Sequence, residues 1–294
     1  MTRPDIFAAT EPPADHRGLA IGRHAKWYTW SAAFRNVIAA AEAWLRTLPE
    51  PRLVHVPGLA TEYDYTLAVA ASPPPPVQRF ARSLCTVRRP RGIMLFTGLL
   101  DQPLDGFLLR RLFALLRGSI AGVLGNERFS LYAPLGAIGR HAGDFALHAD
   151  LYPPELLFNV FEEVPADASG ASIFLPTREL HRLIEHVAGL PSDTRDRVAA
   201  CFRHAADEDR FNELFSLLHD TSRPGVRALE SAMRDRQLRV KLATGQGYLI
   251  HDRTWLHGRE APTGGVSRRR VHRLVFNTVA IQRSITGKRA AAPR

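Results

Sequence analysis

The order of periodicities along this chain constrains its fold more than any single residue does. Four short stretches with strand character, "RFSLYAPLGAIGR", "DFALHAD", "LLFNVFEEV" and "ASIFLP", fill residues 128–176. A mostly helical block follows over residues 177–237, and strand-like stretches return in "LRVKLATG", "QGYLIHD", "TWLHGRE" and "RRVHRLVFNTVAIQ". Two-residue alternation with β-branched and aromatic residues reads as strand, whereas 3.6-residue spacing reads as helix. Strands on both sides of a helical insertion predict one β-rich domain decorated by helices, because a βαβ chain would alternate the two kinds of element. A chain of 294 residues is long enough to close such a domain around a large core.

Upstream of that region the signals are mixed. Residues 1–25 read as a flexible arm. From Ser31, the residues Phe34, Val37, Ile38, Ala41, Leu45 and Leu48 keep a helical stripe that ends before Pro49. "ASPPPPVQ" (71–78) is expected to be a loop or polyproline segment, since consecutive prolines allow neither ladder nor helix. "RGIMLFTGL" (91–99) reads as a buried strand, and residues 104–125 as a core helix ending at glycine. Residues 177–240 form the insertion, expected to act as a lid or dimer contact, and 283–294 a basic tail.

The formal charge of +10 is partly concentrated in "TVRRPRG", "SRRRVHR" and the tail "GKRAAAPR". Neither a zinc-finger spacing nor an aromatic-rich RNA-binding signature accompanies it, so the charge reads as a solvated surface and tail, with nucleic acid the minor option. No Walker or Rossmann glycine loop appears. No stretch approaches the roughly 20 apolar residues of a membrane span. The first residues, "MTRPDIFAATEPPADHRG", contain no apolar signal-peptide core, which predicts a cytoplasmic protein. Cys85 and Cys201 then read as free thiols in a reducing compartment.

The chemistry is concentrated in "DFALHADLYPPE" (144–155). In an extended strand, residues i and i+2 share a face, so His148 and Asp150 project together. They make an incomplete metal site that needs a third ligand. Downstream lie His181, His186, His204, His219, His251, His257 and His272. The first four fall in the helical block, where exposed histidines are commonplace. His257 differs: it closes a strand and is followed at once by Gly258 and Arg259. His141 and His251 read as surface or supporting residues, and Tyr152, Trp255 and Phe276 as core or pocket wall.

"HAD" together with "HDRTWLHGR" and a basic strand beyond resembles the iron(II)- and 2-oxoglutarate-dependent oxygenases, in the taurine dioxygenase and clavaminate synthase-like branch. That family writes His-x-Asp, then a distal His within D-N-R-x-x-x-H-G-R, then an arginine on the next strand. Arg253, His257, Gly258 and Arg259 are in place, while His251 and Asp252 stand where Asp and Asn are usual. The resemblance covers residues 144–176 and 245–277. It implies a mainly β fold with flanking helices, a double-stranded β-helix of the jelly-roll, cupin-like kind, spanning residues 1–294 as a single oxygenase domain.

The resemblance also implies roles. His148, Asp150 and His257 would hold iron(II), a facial set of two imidazoles and a carboxylate that leaves positions for 2-oxoglutarate and dioxygen. The retained Asp150 points to oxygen chemistry, since halogenating relatives lack this carboxylate. Arg-x-x-x-Arg in the family selects Arg269 for the co-substrate's far carboxylate and Arg273 for the co-substrate or an acidic substrate group; Arg268 and Arg270 are the register alternatives. Ser172 stands where a helper threonine is usual, within "SGASIFL" where the family has G-G-x-T. The expected activity is hydroxylation or other oxidation of an unactivated C–H bond in a small molecule, an amino acid or natural-product intermediate, anionic or tethered to an acidic carrier protein. Desaturation, cyclisation and epimerisation are the alternatives on the same catalyst. A non-catalytic metal-binding protein would have no need of Arg269.

Overall fold

The computed structural model describes residues 7–10, 25–30, 32–55, 63–66, 74–86, 93–97, 106–124, 130–135, 145–150, 156–164, 170–203, 208–261 and 269–276. Calls on His141, Tyr152, His204, Arg268 and the tail lie outside them. The chain begins with β1 (Phe7–Thr10), β2 (Ala25–Trp30), α1 (Ala32–Thr47), β3 (Arg52–His55) and β4 (Tyr63–Thr66). Next come α2 (Pro75–Thr86), β5 (Ile93–Thr97), α3 (Gly106–Leu124), β6 (Ser130–Leu135), β7 (Phe145–His148), β8 (Leu156–Glu163) and β9 (Ser172–Pro176). The helical block is α4 (Thr177–His186), α5 (Thr194–Arg203), α6 (Glu208–His219) and α7 (Val226–Arg236). It is followed by β10 (Leu238–Val240), β11 (Gly247–Ile250), β12 (Trp255–Arg259) and β13 (Arg270–Phe276).

Two of these elements depart from the sequence reading. The proline run does not exclude a helix, because α2 starts inside it at Pro75. Pro75 and Pro76 sit in the first turn, where the N–H groups have no intrahelical partner and a fixed φ is no handicap. The Val77 and Gln78 N–H groups both donate to the Pro74 carbonyl, at 2.9 and 3.2 Å, and launch the helix. Within the segment that reads as an arm, β1 pairs antiparallel with β2, Phe7 opposite Trp30.

The strands form a seven-stranded sheet in the order β1-β2-β5-β11-β8-β13-β6, a four-stranded sheet β10-β9-β12-β7, and the separate pair β3-β4. Pairing is antiparallel apart from β2 with β5. The sheets thus interleave strands that are far apart in sequence, so no hairpin alone sets the architecture. Phe174 of β9 meets Tyr248 of β11 edge-on at 4.9 Å, which places one face of the small sheet against one face of the large one. Leu157, Phe161, Tyr248 and Ile250 fill that interior. The outer face of the large sheet, carrying Met94, Phe96, Phe158, Val160, Leu274 and Phe276, packs on α1, α2 and α3 through Leu45, Val77 and Leu112.

The helical block completes the second core. Leu180, Ile184, Val198, Leu217, Leu218, Leu229 and Met233 are buried in one cluster with Leu147, Leu175 and Leu256. On β9 and β12 the residues Leu175 and Leu256 alternate with Phe174 and His257, and Phe174 faces the large sheet. The leucines must therefore face the other way. Helices α4–α7 back the sheet that carries the metal-ligand candidates.

Candidate active site

The site is assembled at the junction of β7 and β12. His148 is the direct cross-strand partner of His257, while Phe145 pairs with Arg259, so β7 spends three residues where β12 spends two. This bulge leaves Phe145 and His148 on one face, as their edge-on rings at 4.2 Å confirm. Gly258 permits the close pairing: a Cβ there would lie 2.5 Å from the Phe145 carbonyl oxygen and 2.9 Å from that of Ala146. The glycine of "LHGR" thus has a packing reason.

The two imidazole rings lie 4.4 Å apart, and Asp150 completes a cluster whose donor atoms are all within 4.8 Å of one another. Its Oδ1 lies 3.6 Å from His148 Nε2 and 3.7 Å from His257 Nε2. This is the one such group of His, Cys, Asp or Glu among the described residues. Each far ring nitrogen faces an acceptor. His148 Nδ1–H donates to the Ala146 carbonyl at 2.9 Å, and His257 Nδ1–H to Asp252 Oδ1 at 2.7 Å. Both Nε2 lone pairs are thereby turned toward Asp150. Burial, and after it the nearby His257, hold His148 well below the usual histidine range, so its ring is neutral and able to donate to a metal. Two imidazoles and a carboxylate converging in this way could hold a divalent iron ion, and the chemistry of the set suits non-haem iron(II).

Asp252 is the part of the site that motif reading passed over. Fully buried, it accepts the His257 N–H on Oδ1 and the Asp150 backbone N–H on Oδ2 at 2.8 Å. One carboxylate thus orients two of the three candidate ligands, as supporting carboxylates do in metal sites generally. Its signal in the sequence is its place five residues before His257, one turn of chain away. Replacing it with leucine strands both donors. We expect iron affinity to fall about 10–100-fold, measured by anaerobic titration, with Asp252→Asn intermediate because one acceptor survives.

The large sheet contributes the opposing wall. Arg273 on β13 reaches Asp150 and donates to its Oδ2, leaving Oδ1 facing the imidazoles. Asn159 on β8 lies between Tyr248 on β11 and Arg273 in the strand register, so these three form one row on the same face. Arg269 is 7% exposed, its guanidinium stacks over Phe161 at 5.2 Å, and its contact with the Gly170 carbonyl is stretched to 3.5 Å. Among the described residues no carboxylate pairs with it, and its Nε has no hydrogen-bond partner. Burial, reinforced by the Arg259 charge, pushes its pKa down to about 10, so it remains a cation at neutral pH.

Ser172 is buried and pairs with Arg259 on the face that carries His257, two residues from Gly170. Arg270 points to solvent and binds Glu163 at 2.8 Å, which separates it from the cluster. His272 faces the other core, stacked on Phe113 at 4.2 Å. His251 lies in the turn before β12, where its carbonyl accepts the Thr254 N–H at 2.9 Å. His219, grouped by sequence with exposed helical histidines, is instead nearly buried: it contacts the Leu147 carbonyl at 2.8 Å and Glu230 at 3.0 Å, tying α6 and α7 to β7. Beside it, Phe145, Asn212, Phe215 and Ser216 line an open groove of about 450 Å³.

No family model matches the sequence, and no curated protein matches it. Solved structures similar to the chain include the non-heme iron oxygenase OrfP, at 15% identity and TM-score 0.46 over 88% of this chain and 96% of that one. An asparagine oxygenase in complex with Fe(II), (2S,3S)-3-hydroxyasparagine and succinate is 13% identical, TM-score 0.47, over 86% and 93% of the two chains. OrfP in complex with Fe, succinate and (3S)-hydroxy-L-Arg is 14% identical, TM-score 0.44, over 86% and 94%. These similar structures are iron oxygenases. No helix among the described residues is long and apolar enough to cross a membrane.

Proposed function

We propose that the chain is an iron(II)- and 2-oxoglutarate-dependent oxygenase that oxidises a C–H bond of a small molecule. The observation that carries the reading is Arg269: a buried guanidinium with no carboxylate partner among the described residues, stacked on Phe161 in the inter-sheet space near the His148, Asp150 and His257 cluster. An unpaired buried charge is costly, and a dianionic co-substrate supplies what it lacks. Strands β6 to β13 interleave as first-eighth-third-sixth in one sheet and second-seventh-fourth-fifth in the other. That order supports a jelly roll with the site in its mouth.

In this reading His148, Asp150 and His257 hold iron(II), with Asp252 and the Ala146 carbonyl fixing ring tautomers. Arg269 anchors the far carboxylate of 2-oxoglutarate, with Ser172 as a neighbouring donor. When bound, iron and co-substrate supply the chemistry: dioxygen converts 2-oxoglutarate to succinate and carbon dioxide while a substrate C–H bond becomes C–OH. Arg273 donates to Asp150 Oδ2, which leaves Oδ1 toward the imidazoles, and a guanidinium beside the cluster suits an anionic substrate group.

The test is anaerobic binding of iron(II) and 2-oxoglutarate, followed by a panel of amino acids and related anions assayed for stimulated succinate release. Stoichiometric co-substrate binding and release stimulated by one compound are expected; absence of 2-oxoglutarate binding to the iron-loaded protein overturns the reading. With the active compound, Arg273→Leu should raise KM about tenfold or more, the worth of one charge-assisted hydrogen bond. Unchanged KM with an uncharged best substrate excludes the anionic assignment.

A further inference from the structure

Helix α6 carries two working faces. Leu214, Leu217 and Leu218 are buried in the core behind the small sheet. Asn212, Phe215, Ser216 and His219 recur at i, i+3, i+4 and i+7, which sets them in a second stripe along the same helix. That stripe, with Asp220, forms one wall of the open groove of about 450 Å³, and Phe145 of β7 forms the other. Such a volume falls in the range of small-molecule pockets. Phe215 is 39% exposed, one of two large apolar side chains among the described residues left so open. An amphipathic helix turns its apolar residues inward, so a ring on the second stripe needs a reason of its own.

The polar groups along the groove do not supply that reason, since three of them are already engaged. The Ser216 hydroxyl accepts from Arg223 at 3.3 Å, and Asp220 Oδ1 accepts the Ser222 N–H at 3.1 Å and its hydroxyl at 2.5 Å. His219 is held between the Leu147 carbonyl and Glu230, and the Phe215 ring lies 4.9 Å from its imidazole. The groove therefore offers an aromatic wall fixed in place before anything binds, which lowers the ordering cost of binding. The opposite wall leads to the metal-ligand cluster. Phe145 stands edge-on against the His148 ring at 4.2 Å, and contacts continue from His148 to Asp150 and from Asp150 to Arg273.

We infer that this groove is the subsite for an aromatic ring of the substrate, with Phe145 and Phe215 as its specificity-determining residues. The inference rests on the oxygenase reading and deepens it by naming a substrate class: an aryl-bearing carboxylate or similar anion, whether or not it carries an amine. The two ends of the molecule are told apart by charge. The carboxylate of Asp220 disfavours an anion at the groove, whereas the guanidinium of Arg273 suits one at the far side of the cluster. Ring faces and edges gain from stacked or edge-on contact with an aryl group beyond the area they bury.

The experiment uses the full chain loaded anaerobically with iron(II). A calorimetric titration with 2-oxoglutarate comes first and reports on the oxygenase reading; absence of binding there ends both readings. 3-Phenylpropionate and propionate, which differ by the ring alone, are then titrated into the iron- and 2-oxoglutarate-loaded protein. The aryl acid is expected to bind about tenfold or more tightly. Its binding should also shift the visible charge-transfer band of the iron–2-oxoglutarate complex, which a ligand on a remote surface would leave unmoved. Ser216→Trp fills the groove and should bring the two acids to near-equal affinity, while Phe215→Ala should shrink the preference about threefold or more. Both variants should bind 2-oxoglutarate like wild type. If the two acids bind alike or not at all, if the aryl acid leaves the band in place, or if either folded variant keeps the wild-type preference, the inference fails. Normal 2-oxoglutarate binding in the first titration leaves the oxygenase reading standing in each of these cases.

Discussion

The His257→Ala protein should bind iron(II) more than about 100-fold more weakly than wild type and release no substrate-stimulated succinate. Loss of a supporting group beyond the ligands costs about 10–100-fold in metal affinity, and removing a ligand costs more. The structure makes the loss larger still. His257 is paired directly with His148, and its Nδ1–H occupies Asp252, the carboxylate that also holds the Asp150 backbone. Alanine thus removes one donor and leaves a buried carboxylate with half its partners. Anaerobic iron titration with circular dichroism as a folding control measures it. Wild-type iron content in a folded His257→Ala protein would dismiss the triad, and His251 in the preceding turn would be the next residue to test.

Arg269→Ala should separate iron from co-substrate. Iron affinity should stay within about threefold of wild type, since Arg269 makes no described contact with the three candidate ligands, while the 2-oxoglutarate requirement rises on the order of 100–1000-fold. That range corresponds to the roughly 3–5 kcal/mol lost when one partner of a buried charge pair is removed. A second readout follows from the same physics. Without anion, Arg269 is a desolvated cation beside Phe161 and the charge of Arg259. Replacing it with leucine should leave the ligand-free melting temperature unchanged or raise it, and should abolish the stabilisation that 2-oxoglutarate confers on the iron-loaded protein. A leucine variant still stabilised by 2-oxoglutarate to the wild-type extent would move the anchor to a different arginine.

Several of these residues are legible without coordinates because their signals are local. The parity of a strand places His257 and Arg259 together on β12 and sets Arg269 apart from Arg270, and in the structure Arg269 is buried while Arg270 meets solvent. The stripe from Phe34 to Leu48 becomes α1, and the apolar run over residues 104–125 becomes α3. Alternation and helical spacing depend on neighbours within a turn or two of chain, so they survive into the fold. The proline run starts a helix where a loop is expected, because the rule against proline belongs to helix interiors, and position within a helix is not written in the residue itself.

What tertiary structure alone decided is which distant segments meet. The one-residue bulge that sets Phe145 beside His148 exists only once β7 has paired with β12, more than a hundred residues away. Asp252 looks like a turn residue until its second oxygen finds the Asp150 N–H. Arg273 and Asn159 become neighbours, and Arg273 reaches Asp150, through the register of β8 with β13. Residues 177–236 read as helices wherever they dock; that they back the small sheet follows from which face of β9 and β12 is left apolar after Phe174 turns to Tyr248. Strand register is chosen by the summed hydrogen bonds and side-chain burial of two whole segments, with every residue changing face for a slip of one. The candidate ligands were therefore readable one by one in the sequence, and their convergence on one another was decided by pairing between strands.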